Sequence, residues 1–216
     1  MKFVITAGPT REPIDPVRFL SNRSSGKMGY AIAAAAIEAN HEVVLISGPV
    51  NLAPPATARL VSVITSDEMY DAVQAAVRDC DLLVMCAAVS DYKPARVAEQ
   101  KIEKRGEKFS LELIPARDIL QSLPRSRNFF VIGFAAETND MEEHACAKLA
   151  TKNCDMMVAN DVSDPNIGME SEENAVTIFS RGGESEKISR ASKKMIARQL
   201  VKIFCANAKK VLTKKF

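Results

Sequence analysis

Short apolar runs punctuate the chain at positions 3–7, 42–46, 60–64, 82–86, 129–134 and 155–159. Each is too short for a helix and is bounded by turn-forming or polar residues, so each predicts a strand. Between them the period lengthens. The stretch from Tyr30 to Ile37 is rich in alanine and unbranched residues, which lose little entropy in a helix. Thr65 and Glu68 have capping-box spacing ahead of Met69, Val73, Ala76 and Val77, which share one helical face. Asn139 and Glu142 repeat that spacing, and Ser192 precedes an amphipathic helix with Ile196, Leu200 and Ile203 inward. The run 82–86 is apolar throughout and lies between helices, which implies a parallel sheet covered on both faces. Residues 175–180 and 186–189 predict a hairpin across Arg181-Gly182-Gly183-Glu184. Residues 109–114 alternate as a half-exposed strand, and Asp118 opens a short helix. The fold class is therefore α/β, a mostly parallel sheet with helices on both faces plus a C-terminal hairpin.

Composition narrows this picture without redirecting it. With 216 residues, 47% hydrophobic and 26% charged, the chain suits one globular domain, 1–216, able to bury a sizeable core. A net charge of +2 supplies no field that demands nucleic acid. The cysteines at 80, 86, 146, 154 and 205 lack Cys-x-x-Cys spacing and read as reduced thiols of a cytoplasmic protein. With His41 and His144 as the only histidines, neither a zinc site nor a Ser-His-Asp triad is expected. No apolar run reaches membrane-spanning length, and the start at Met1-Lys2 leads into a strand rather than a leader pattern.

The candidate chemistry begins in the loop Ser21-Asn22-Arg23-Ser24-Ser25-Gly26-Lys27-Met28-Gly29, which feeds the first helix. A helix start attracts anions through its N–H groups and dipole, so phosphate or a carboxylate substrate is expected there. The same glycines also serve close packing of the helix on the sheet. The loop is neither familiar phosphate motif. A P-loop needs glycine at the position of Ser21 and Ser or Thr at that of Met28, and the dinucleotide fingerprint needs glycines directly after the strand, where Gly8 meets Pro9-Thr10. A second strand-end residue, Asp91, stands beyond the run 82–86, where open α/β sheets bind ligands; a turn cap is the simpler role. The long charged loop 93–108 has the length of a lid and carries Lys101, Lys104, Arg105 and Lys108. Lys148 and Lys152, four apart, share a helix face and repel unless an anion lies near them.

Five segments in order then resemble the phosphopantothenate–cysteine ligase family: Thr10 to Arg18, Ser21 to Gly29, Cys86 to Tyr92, Gly133 to Thr138 and Ala159 to Val162. The resemblance runs from Lys2 to about Phe204. It implies a Rossmann-like fold, a homodimer and a reaction joining 4′-phosphopantothenate to L-cysteine. In the bacterial type CTP forms an acyl-cytidylate and releases pyrophosphate, and the cysteine amine then displaces CMP. Eukaryotic relatives use ATP; the lysine pair and the loop around Gly26 look like the CTP type. The family's decarboxylase domain has no counterpart in this sequence, so FMN is not expected. Mg2+ is expected with the nucleotide, bound mainly by phosphate oxygens. The resemblance assigns Asn22 and Lys101 to catalysis. It gives nucleotide contacts to Asp91, Lys101, Ala116, Arg117, Asp118, Ile119, Phe134, Lys148 and Lys152. Substrate contacts fall to Arg18, Asn22, Ser24, Ser25, Gly26 and Ala88. Where the family has Asn-Pro-Asp-Ile, this chain has Ala116-Arg117-Asp118-Ile119. The hairpin 175–189 is the candidate dimer contact. Two other classes compete. An NAD(P)-dependent reductase of the short-chain type needs Tyr-x-x-x-Lys, but Tyr30, Tyr70 and Tyr92 are followed four later by Ala34, Gln74 and Arg96. A non-catalytic nucleotide-binding protein would bind CTP without releasing pyrophosphate.

Overall fold

A computed structural model describes residues 1–104, 106, 108–137, 141–161 and 171–212. The elements in chain order are β1 (Lys2–Ala7), β2 (Glu12–Pro13), β3 (Phe19–Leu20), α1 (Lys27–Glu38), β4 (Glu42–Ser47), β5 (Arg59–Ser62), α2 (Ser66–Ala76), β6 (Leu82–Met85), β7 (Tyr92–Pro94), β8 (Leu113–Pro115), β9 (Phe130–Glu137), α3 (Met141–Thr151), β10 (Met156–Asp161), β11 (Glu173–Ser180), β12 (Ser185–Ser192) and α4 (Lys193–Leu212). Eight strands form one sheet in the order β12-β11-β10-β9-β6-β1-β4-β5. The strands from β5 across to β10 run parallel, and β11 and β12 add an antiparallel edge. This is the expected Rossmann-like α/β architecture with its C-terminal hairpin.

Alternation along the strands divides the core. Phe3, Ile5, Leu45, Val84 and Ile132 face α1 and α4, meeting Ile32, Leu200 and Phe204. Val4, Ile46, Leu83 and Val131 face the other way, onto Met69 and Val73 of α2 and Leu149 of α3. Side chains that alternate in direction along a strand thus fill two layers from one apolar run. The Thr65 hydroxyl accepts from the Glu68 N–H at 3.2 Å, as the capping box requires; the Glu68 carboxylate reaches back one residue further, to the Ile64 N–H. The Asn139 cap lies outside the described residues.

Chain order reverses at the centre of the sheet. From β1 the chain moves outward to β4 and β5, then returns to pair β6 on the other flank of β1. That reversal opens a crevice beyond the carboxyl ends of β1 and β6, the position where such sheets bind ligands. Two glycines bring α1 to its edge. A Cβ on Gly29 would stand 2.6 Å from the Ala7 Cβ, so only glycine permits this approach to β1. Gly26, the residue that caps α1, takes the left-handed conformation at φ 75°.

Two small ribbons depart from the sequence expectation. β2 pairs with β3, and β7 pairs with β8, and of these four β2, β3 and β7 fall in segments expected to be loop. The strand expected over 109–114 shrinks to Leu113–Pro115 because its only pairing partner is three residues long. Asp118 opens a single turn, where its carboxylate accepts from the Gln121 N–H at 2.9 Å, and not a helix. The expected lid is tethered: Ala98 N–H donates to the Ile14 carbonyl, and Ile102 N–H to the Asp15 carboxylate. The 175–189 hairpin extends the sheet, and much of its outer strand is exposed and polar.

Candidate functional site

The crevice is a cleft in two adjoining halves. The first, about 350 Å³, lies at the start of α1 and is lined by Ser24, Ser25, Gly26, Ala88, Asp91, Phe134 and Lys148. The second, about 300 Å³, holds Asp91, Ala116, Arg117, Asp118, Ile119, Phe134 and Lys152. Asp91 and Phe134 belong to both. Parallel strands that end at one level bring these distant segments together, and the β7–β8 ribbon adds residues 116–119. Ala116 N–H donates to the Asp91 carbonyl at 2.8 Å, which joins the two at the cleft floor.

Asn22 sits at the rim. Its amide donates to the Ala88 carbonyl at 2.6 Å, and its Oδ1 accepts from the Ser24 N–H at 3.0 Å. The Ala88 carbonyl also accepts from Thr10 N–H, while Ala88 N–H donates to Gly8. The loop from β1 and the loop from β6 are thereby stitched together under Asn22. Arg18 and Lys101 lie apart, in a separate hollow of about 780 Å³. There Arg18 donates to the Ile102 carbonyl at 2.7 Å. Asp15 beneath them is pushed up by burial, but N–H groups of Val17, Ile102 and Arg18 outweigh this and hold its carboxyl below the usual range. Within one chain, then, the expected site residues line the cleft except Arg18, Lys101 and Asn22, the last bonded to Ala88 and Ser24 on its wall.

The two halves differ in charge. α1 begins without an acidic residue in its first turn and without a side-chain cap. Among the described residues, Lys27, Lys148 and Lys193 line the first half against one carboxylate, Asp91. Lys27 forms an ion pair with Glu172. In the second half the cations are neutralised by the chain itself. Lys152 pairs with Asp118, which supplies the anion that the lysine spacing called for. Arg117 pairs with Asp67 at 3.0 Å and Asp71 at 3.1 Å and stacks over the Tyr70 ring at 3.9 Å. A hydrogen bond from Lys93, opposed by burial and aided by Arg117, holds the Asp67 carboxyl below its ordinary value.

Among the residues lining the first half that carried no site assignment from sequence are Cys86, Asn160, Asn174 and Lys193. Lys193 left one signal. A lysine as the first residue of a helix opposes the dipole, an unfavourable place that calls for another reason. Burial, and then Lys27 nearby, pull the Lys193 ammonium below the ordinary lysine range. Burial pushes the Cys86 thiol up to about 12. No group of three or more His, Cys, Asp or Glu side chains among the described residues could hold a metal, and no described helix is long and apolar enough to cross a membrane.

Fold and cleft together define an α/β domain with an anion-attracting ligand site at its topological switch point. Residues 1–207 match the family model described as the DNA/pantothenate metabolism flavoprotein C-terminal domain, and the chain belongs to that family. It is 44% identical over 203 residues to the coenzyme A biosynthesis bifunctional protein CoaBC of Vibrio vulnificus, covering 92% of this chain and 50% of that protein. The CoaBC of Escherichia coli strain K12 is 46% identical over 189 residues, covering 85% of this chain and 47% of that one. The chain thus spans about half the length of the curated relatives it matches. The crystal structure of the C-terminal domain of a CoaBC superposes with TM-score 0.79 at 41% identity, over 93% of this chain and 92% of that one. A Cab2 H337A structure in complex with phosphopantothenate-cysteine shares the fold at TM-score 0.83 and 17% identity, covering 100% and 89% of the two chains.

Proposed function

We propose that this chain is a ligase that joins 4′-phosphopantothenate to L-cysteine in coenzyme A synthesis, by way of an acyl-cytidylate made from CTP. The observation that carries the reading is one cleft with an electropositive half and a self-neutralised half, meeting at Asp91 and Phe134. The cytosine and ribose occupy the second half, against Phe134 and residues Ala116, Arg117, Asp118 and Ile119. The phosphates reach across to Lys148 in the first half, with Lys152 in the second. The phosphopantothenate lies in the first half, near Ser24, Ser25, Gly26 and Ala88.

In the first step a substrate carboxylate oxygen bonds to the α-phosphorus and pyrophosphate departs. In the second, the cysteine nitrogen bonds to the acyl carbon and CMP departs. Negative charge builds on the acyl oxygen as the amine attacks, and the role of donor to it falls to the Asn22 amide, which in this structure donates to the Ala88 carbonyl. Mg2+ fits here as a cation carried by the nucleotide phosphates, because the chain offers the seam one shared carboxylate, Asp91. When bound it supplies charge neutralisation.

Lys101 and Arg18 complete the site from a second copy. Val17, Phe19 and Phe109 beside their hollow are among the most exposed large apolar side chains described, at 61%, 47% and 61%. A homodimer that buries this surface sets one copy's Lys101 against its partner's cleft. Mixing Asn22→Asp and Lys101→Gln chains tests this, since only a mixed dimer then contains one site with both native residues. Activity that stays at the level of the separate variants after subunit exchange refutes the shared site.

Pyrophosphate release tests the reaction itself, with CTP, ATP, phosphopantothenate and cysteine omitted in turn. CTP and phosphopantothenate without cysteine should yield a stoichiometric burst. Binding of CTP with no pyrophosphate under any combination would leave the non-catalytic reading standing. Preference for ATP would correct the nucleotide.

A further inference from the structure

We propose that Thr10 is a positioning residue for both steps of the reaction: its carbonyl sets the loop that carries Asn22, and its hydroxyl sets the strand end that carries Asp91. The inference rests on the ligase reading and adds to it the device that holds these two groups in one frame. Thr10 lies outside the strands, three residues after β1 ends, yet it is 0% exposed. Each of its polar groups is spent on a loop of the site. The carbonyl accepts from the Ser21 hydroxyl at 2.8 Å, one residue before Asn22. The hydroxyl accepts from the Ser90 N–H at 3.0 Å and donates to the Ser90 Oγ at 3.1 Å, one residue before Asp91. The N–H donates to the Ala88 carbonyl at 3.2 Å.

The last of these bonds bears on the chemistry. The Ala88 carbonyl is also where the Asn22 amide rests, at 2.6 Å. A carbonyl with two donors can release one and stay paired. The Asn22 amide is thus able to turn to the acyl oxygen without stranding a backbone group, because the Thr10 N–H stays behind. The hydroxyl works on the other arm. A backbone N–H away from water needs an acceptor, and Ser90 finds it in Thr10 Oγ1. Asp91 follows directly, and its carbonyl accepts from Ala116 N–H at 2.8 Å, so the frame of the nucleotide half continues from this bond. Thr10 lines neither half of the cleft and acts only through these neighbours. The two arms leave from different atoms, so each can be cut without the other.

Thr10→Val removes the hydroxyl arm while keeping the side chain's shape, Thr10→Ser keeps the hydroxyl, and Ser21→Ala removes the carbonyl arm. Rapid-quench release of pyrophosphate and of CMP times the two steps, titration with CTP reads binding, and a cooperative thermal transition confirms each fold. Thr10→Val should weaken CTP binding and slow the pyrophosphate burst about 3- to 10-fold, the usual worth of one buried hydrogen bond. Thr10→Ser should recover most of that loss. Ser21→Ala should hold the burst within about twofold of native and slow CMP release about 3- to 10-fold. Should Thr10→Val fail to fold, Ser90→Ala cuts one bond of the same arm from its other end and should give a smaller loss of the same kind. Equal losses in both steps from either arm, or a lowered melting temperature with both steps unchanged, overturns the role of Thr10 while leaving the ligase standing. A native chain that releases no pyrophosphate refutes the ligase; a CTP affinity lowered in Thr10→Val and returned in Thr10→Ser would then support the hydroxyl arm by itself.

Discussion

The two halves of the cleft are built from the same strand ends yet solve charge in opposite ways. Around Arg117 and Lys152 the chain provides its own anions, Asp67, Asp71 and Asp118. Around Lys193 and the start of α1 it gathers cations and a helix end. A self-neutralised wall binds an uncharged ring at little electrostatic cost, whereas a helix start attracts an anion through its N–H groups and dipole. The lesson is that a count of lysines near a cleft says little until each lysine's partner is known. Lys148 and Lys152 look equivalent by spacing, yet they line different halves of the cleft, and Lys152 pairs with Asp118.

The most extreme difference concerns desolvation. With its thiol pushed up to about 12, Cys86 on the floor of the electropositive half is almost wholly protonated at neutral pH, while Cys146 is exposed. Thiolate is the reactive form, so at pH 7.5 iodoacetamide should label Cys146 faster than Cys86 by about 10³-fold or more. The Cys86 rate should climb with pH. Mass spectrometry of timed digests reads both, and prompt labelling of Cys86 would mean that this half is open and wet.

Asn22→Asp should come next in size. Replacing the donor by a carboxylate should slow amine attack by about 10²–10³-fold and spare the pyrophosphate burst. Rapid-quench kinetics separate the steps, and an equal loss in both would move Asn22 from chemistry to loop scaffolding.

The lysine pair sharpens the contrast directly. Lys148→Gln should raise the KM for CTP about 10-fold, in line with loss of one charged contact. Lys152→Gln should act through the Asp118 it leaves behind, so Asp118→Asn in the same chain should return about half or more of the lost affinity. Additive effects would show that the pair does not neutralise itself.

The smallest effect is on stability. Asp67 joins Lys93 of the β7–β8 ribbon and Arg117, and its side chain is 38% exposed. Asp67→Asn should cost about 0.5–1 kcal/mol at pH 7, as partly exposed ion pairs do. The folded carboxyl titrates below the ordinary aspartate value, so the contribution is complete above that value and fades as pH falls through the folded one. Native and variant melting temperatures should therefore converge toward pH 3, and a gap that persists in acid would assign the loss to packing.

Much of the fold was legible because period and burial agree. The run 82–86 was read as fully buried, and Leu82–Met85 is buried on both faces. The ribbons escaped notice since two- and three-residue strands carry no period. At the site, Asn22, Asp91 and Phe134 were reachable through their motifs. Lys193 left only its unfavourable place at the start of a helix, which does not tell that α4 begins against a cleft more than a hundred and fifty residues away in sequence from the loop it faces.

By itself the sequence determined the strands of the main sheet and the long helices that cover it, since those follow from local spacing and the free energy of burying apolar surface. The caps at Thr65 and the glycine approach at Gly29 belong to the same local account. Only the tertiary structure decided which carboxylate each cation meets, as Lys152 meets Asp118 and Arg117 meets Asp67. Coulomb energy depends on distance and burial, and both are properties of segments brought together across the sheet.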